Sequence, residues 1–158
     1  VMSLKIDLKK LITSLLIPLA AGGISAFITR NDMQIYDRLN VPPLAPPPWL
    51  FPIVWTVIYI LMGVSLYLIR VNKTTVNKTS AYIAFAIQLF LNFIWSPIFF
   101  SANAYVAAFV VLVLMWLFTI LMIVLFSRID RRAAYLNIPY LLWITFAGYL
   151  NLAIAILN

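Results

Sequence analysis

"AYVAAFVVLVLMWLFTILMIVLF" occupies residues 104–126 and contains no Asp, Glu, Lys, Arg, Gly or Pro. Its 23 residues rise about 34 Å as a helix, enough to cross a hydrocarbon core of about 30 Å. Four other stretches have the same character, at about residues 11–29, 49–69, 81–100 and 133–157, and none holds an ionisable side chain well inside it. The whole chain is 65% hydrophobic and 9% charged, against roughly 25% charged in a soluble domain. Lipid is therefore its solvent. The fold class is an all-α membrane protein, a bundle of five transmembrane helices forming one domain over residues 1–158. The first apolar run is long and more spans follow it, so it reads as an uncleaved span rather than a signal peptide.

The basic residues set an orientation. Lys5, Lys9, Lys10, Arg70, Lys73, Lys78, Arg128, Arg131 and Arg132 fall on the side of the N-terminus, and Arg30 and Arg38 on the other. Short loops rich in Lys and Arg stay in the cytoplasm, which predicts a cytoplasmic N-terminus and an outer C-terminus. The net charge of +7 is then a topology and lipid-surface signal, and nucleic acid is not an expected partner. The sequons at Asn72 and Asn77 lie in a cytoplasmic loop and read as chance matches. With no Cys and no His, disulfides, thiolate chemistry and the commonest metal ligand are excluded; no metal site is expected. The connection between spans 3 and 4 is a few residues near 101–103, which makes those spans antiparallel neighbours.

The one long connection, about residues 30–48, holds "NVPPLAPPPW" at 40–49. Proline has a fixed φ and no N–H, so such a segment stays ordered near lipid with few unsatisfied donors. Pro46, Pro47, Pro48 and Trp49 read as a stiff lid over the outer mouth of the bundle, ending in an interfacial tryptophan where span 2 begins.

Under that lid, three spans carry polar and aromatic residues at helical spacing. Gln88, Asn92 and Trp95 share a face of span 3; Tyr140, Trp143, Ala147 and Asn151 share a face of span 5; Trp55 and Tyr59 are one turn apart in span 2. By rise alone Asn92 lies roughly 18 Å, Trp143 roughly 16 Å and Trp55 roughly 20 Å from the inner ends of their spans. Amides in lipid face the bundle interior, either as links between helices or as ligand contacts. An aromatic concavity with a few amides is also how flat ligands are held. Pro18, Pro97 and Pro139 are placed to bend spans 1, 3 and 5. Gly22 and Ala26 form a small-xxx-small pair.

"YDRLNVPPLAPPPWLFPIVWTVIYILMGVSLYL" (36–68), "QLFLNFIWSPIFF" (88–100) and "NIPYLLWITFAGYLNLAIAILN" (137–158) together resemble the TspO/MBR family, the tryptophan-rich sensory proteins related to the mitochondrial translocator protein. The resemblance covers most of the chain. It implies a receptor or sensor for porphyrins such as protoporphyrin and for other flat hydrophobic ligands, with Trp55, Tyr59, Gln88, Asn92, Trp95, Tyr140, Trp143 and Ala147 as the binding residues. It also implies a homodimer in a lipid membrane, no required cofactor, and a light-dependent porphyrin degradation tied to Trp143. The chain departs from the family in loop 1, where Ile35 and Leu44 stand at positions expected to carry tryptophan.

Three functions follow. A tetrapyrrole receptor would stack its ligand on Trp143 and Trp55 and bond it through Asn92 and Gln88, with Arg30 or Arg38 near the propionates. An enzyme would lack any acid–base pair, nucleophile or metal cluster in the spans, leaving only photo-oxidation at Trp143. A transporter would lack the midplane ionisable groups that ion-coupled carriers use, leaving facilitated passage of a lipophilic ligand. The opening "VMSLKIDLKK" has no Arg- and Ser-rich bias of a transit segment, so a bacterial cell membrane is the expected location.

Overall fold

The computed structural model describes residues 6–158, and Lys5 lies outside them. It contains six α-helices: α1 (Leu8–Thr29), α2 (Leu50–Val71), α3 (Thr79–Ser96), α4 (Tyr105–Ser127), α5 (Arg131–Leu136) and α6 (Ile138–Leu157). Five spans result, all long and apolar enough to cross a membrane, with α5 and α6 together making the fifth. The expected span limits hold to within a few residues. The fifth span breaks because Asn137 closes α5 and opens α6, with Pro139 in the first turn of the new helix. Pro97 acts similarly: α3 passes into a wide π turn, Pro97–Ser101, and Asn103 reverses the chain at a φ of 52°, a backbone state that Asn tolerates better than most residues. Pro18 leaves α1 continuous.

The spans form a closed ring in which α1 packs on α2 and α3, α3 on α4, α4 on α5 and α6, and α5 back on α2. Large apolar side chains cover the outer surface, among them Ile12, Leu16, Phe90, Leu117 and Leu142. That surface is stable only against lipid. Hydrogen bonds tie together the end that carries most of the described basic residues, Arg30 and Arg38 lying at the other: Arg70 Nη1 donates to the Lys10 carbonyl (3.2 Å) and Asn72 Nδ2 to the Ile129 carbonyl (3.2 Å). Asn72 thus ties two loops together. At the same end Asp130 caps α5 by accepting from Arg132 N (2.9 Å). Hydrogen bonds from the Arg132 side chain hold the Asp130 carboxyl below the usual carboxylate range. Its contribution is therefore complete at neutral pH and is lost only as pH falls through that lowered pKa.

Inside the ring, α1 and α2 approach until backbone meets backbone. A Cβ on Gly63 would sit 2.7 Å from Leu15 Cα and 2.9 Å from the Ser14 carbonyl oxygen. That carbonyl is the one Pro18, four residues later, leaves without a helical donor. A Cβ on Gly22 would run into the Tyr59 ring. The small residue at 22 is thus used within the chain. On the far side, buried Ser65 donates to the Ala133 carbonyl (2.9 Å), and Asn137 Nδ2 donates to Ser65 Oγ (2.7 Å).

Gly63→Ala should destabilise the bundle by about 1–3 kcal/mol, the usual cost of overpacking. Gly23→Ala, whose Cβ meets nothing within 4 Å, should be neutral. Thermal unfolding of both variants in detergent checks this, and equal melting temperatures would refute the backbone contact.

Candidate functional site

Between α2 and α6 the end away from the basic loops is filled by aromatic rings rather than by close helix contact. Trp55 stacks on Tyr59 (5.6 Å between centroids) and meets Trp143 edge-on (6.3 Å, 89°). Phe51 meets Trp143 at 5.8 Å and Tyr36 at 5.3 Å. These rings enclose a cavity of about 250 Å³. Trp55 and Tyr59 line it from α2, Asn92 and Trp95 from α3, Trp143 and Ala147 from α6, and Pro48 from the loop. These expected site residues meet in one place because ring packing turns three helical faces toward a common axis.

Other expected residues stand elsewhere. Gln88 and Tyr140 are 0% and 1% exposed, one layer behind the cavity wall. They complete a hydrogen-bond chain: Tyr59 O–H donates to Asn92 Oδ1 (2.7 Å), Asn92 Nδ2 to Tyr140 Oη (3.0 Å), and Tyr140 O–H to Gln88 Oε1 (2.7 Å). The Gln88 amide therefore serves as a link between helices, and Tyr59 and Asn92 belong to both the chain and the wall. Trp95 Nε1 is similarly engaged, donating to Asn151 Oδ1 (3.0 Å). Trp143 Nε1 is different, being buried without a partner among the described residues.

The lid has more structure than its proline content suggests. A 3₁₀ turn, Met33–Arg38, precedes the proline segment and places Met33 and Tyr36 on the cavity. Tyr36 O–H donates to the Pro46 carbonyl (3.1 Å), Tyr149 O–H to the Pro43 carbonyl (2.8 Å), and the Asn40 backbone and Asn158 side chain bond reciprocally (3.1 and 3.0 Å). Burial and the neighbouring Asp37 push the Tyr36 hydroxyl above its ordinary pKa, so it remains a donor in any physiological medium. Pro46 is thus a latch point, while Pro47 and Trp49 are exposed and off the cavity. The two missing indoles are not lost from its wall either. Leu44, 82% exposed, sits at a φ of 71° in a turn closed from Ala45 N to the Pro42 carbonyl, and Ile35 is not on the wall. Arg30 lies over the Phe27 ring (3.9 Å), and neither Arg30 nor Arg38 reaches the wall.

Sequence reading missed the α1 contribution, Gly22, Ser25 and Ala26, and the aromatic extensions Phe51 and Phe99. The latter carried a signal: Phe51 lies four residues before Trp55, and Phe99 four after Trp95, on the same helical faces. Among the described residues there is no group of three His, Cys, Asp or Glu side chains able to hold a metal.

The family model described as TspO/MBR family matches residues 14–157. The chain is 39% identical over 135 residues to a tryptophan-rich protein TspO of Chlorobaculum tepidum, covering 85% of each. It is 37% identical over 153 residues to a tryptophan-rich protein TspO of Archaeoglobus fulgidus, covering 96% of this chain and 99% of that one. It is 33% identical over 142 residues to the translocator protein of Bos taurus, covering 86% and 82%.

The hydrogen-bond chain is testable without a ligand. Asn92→Leu strands the Tyr59 hydroxyl and should lower stability by about 1–2 kcal/mol, whereas Asn92→Leu with Tyr59→Phe removes both partners and should recover part of that loss. A double-mutant cycle read by thermal unfolding decides it; strict additivity would show that the two side chains do not interact.

Proposed function

This chain belongs to the TspO/MBR family, and from that premise we propose that it is a membrane receptor for porphyrins and comparably flat apolar molecules, held in the aromatic cavity under the proline-rich lid. It is a multi-pass protein of the cell membrane. The observation that carries the proposal is Trp143: its indole forms part of the cavity wall while its N–H is buried without a partner. A buried donor left unpaired costs about 1–3 kcal/mol, and a ligand acceptor recovers it once the indole turns toward the cavity. Stacking against Trp55 and Trp143 and a bond from Asn92 supply orientation.

The cavity of about 250 Å³ falls below the roughly 300–1,000 Å³ of drug-sized ligand sites. A tetrapyrrole therefore enters with the lid displaced, and the latches at Pro43, Pro46 and Asn158 set the cost of opening. Capture and release both pass through that motion. A second reading, light-driven degradation of bound porphyrin, rests on the same indole.

Protoporphyrin titrated in the dark into detergent-purified protein should quench tryptophan fluorescence saturably, with affinity about tenfold lower in Trp143→Phe, the value of one hydrogen bond and some stacking. Linear, unsaturable quenching would overturn the proposal. Bleaching of the bound porphyrin in light and air, abolished in Trp143→Phe, would establish degradation. Tyr149→Phe removes one latch and should speed association about fivefold, as loss of about 1 kcal/mol from the closed lid requires; an unchanged rate in stopped flow would exclude the lid as the gate.

A further inference from the structure

A second cavity, of about 650 Å³, opens on the outer face of the bundle between α1 and α3, floored by α2, and shares no lining residue with the lid cavity. Its walls are apolar, with Ile17 and Ala21 from α1, Leu66 from α2, and Phe85, Ala86 and Phe90 from α3. Arg70 and Tyr82 stand at the end nearest the basic loops. Along α3 the groove runs from Tyr82 to Phe93. Those twelve residues span about 16 Å, close to one leaflet of a hydrocarbon core about 30 Å thick.

Arg70 is held in place but not neutralised. Its Nη1 reaches three neutral oxygens of α1: the Lys10 carbonyl (3.2 Å), Thr13 Oγ1 (2.7 Å) and Ser14 Oγ (2.9 Å). Among the described residues nothing accepts from Nε and Nη2, which keep their three N–H donors, fixed in a plane. The chain has four acidic residues, and none serves Arg70. Asp7 caps α1 through Lys10 N, Asp130 pairs with Arg132, and Asp32 and Asp37 lie at the lid end. Lys78 stands at the same end of α2, its ammonium within 3.5 Å of the Arg70 backbone carbonyl. A rigid guanidinium without a carboxylate, at the head of an apolar groove one leaflet long, complements an anion that carries an acyl chain. Phosphate matches the free fork in bidentate fashion.

We propose that this groove is a binding site for an anionic phospholipid of the adjoining leaflet, with one acyl chain lying between α1 and α3 and the phosphate on Arg70. The site is independent of the lid cavity and of what that cavity binds.

The test is lipid retention. The protein is placed in nanodiscs of equal parts phosphatidylglycerol and phosphatidylcholine, then extracted and weighed by native mass spectrometry. The unaltered chain should retain phosphatidylglycerol over phosphatidylcholine by about tenfold, the strength of a charge-assisted hydrogen bond. Arg70→Gln should bring that ratio to about one. Ala86 is exposed on the groove wall; Ala86→Phe fills the groove with Arg70 intact and should release both lipids without changing porphyrin binding. Equal retention of the two lipids by the unaltered chain would overturn the proposal, as would unchanged retention in Ala86→Phe. A two-chain mass that Ala86→Phe abolishes, with no lipid adduct on either protein, would assign the groove to a second copy instead. If Arg70→Gln does not fold, the headgroup ratio and Ala86→Phe decide the matter alone.

Discussion

The interior of this bundle is organised by one hydrogen-bond chain, Tyr59–Asn92–Tyr140–Gln88, which joins α2, α3 and α6 at a single depth. In lipid a polar side chain has no water to fall back on, so each of these groups must find its partner inside the ring. That requirement fixes the rotation of three helices at once. It also places the Tyr59 ring, and the rest of the lid-end geometry follows from that ring. Trp55 stacks on it, Trp143 closes on Trp55, and α1 can pass behind only because residue 22 is glycine.

The cavity is what remains when those constraints are met. α2 reaches the fifth span closely through α5, at the basic end, where Ser65 and Asn137 bond across the contact. Toward the lid the space between α2 and α6 is bridged by indole and phenyl rings, which are rigid and cannot collapse to fill it. The proline segment then covers the opening in a way suited to its chemistry. Proline cannot donate, but its carbonyl accepts, and Pro43 and Pro46 each receive a tyrosine hydroxyl. The lid is held by a few such bonds, so it can be closed without being immovable.

The two ends of the molecule have different electrostatic character for a reason rooted in composition. With so few acidic residues, most basic side chains at the loop end have no carboxylate to meet, and Arg70 is anchored by neutral oxygens. The lid end, by contrast, is held by uncharged bonds among Asn40, Asn158, Tyr36 and Tyr149.

Hydropathy and length determined the helices themselves: an apolar run long enough for the bilayer has no alternative to helix, because every backbone group must bond within it. Spacing by four placed Trp55, Asn92 and Trp143 on faces that line one cavity. What only the tertiary structure decided is which members of a face meet the cavity. Gln88 and Asn92 are one turn apart and chemically alike, yet one lies behind the wall and the other in it. Leu44 looked like a lost cavity residue and is instead exposed and off the wall. Such distinctions depend on the order of helices in the ring, on the close α1–α2 contact at Gly63 and on where each lid turn reverses. Helical periodicity specifies a side chain's direction only relative to its own helix, and the neighbour it meets is fixed only when the helices pack.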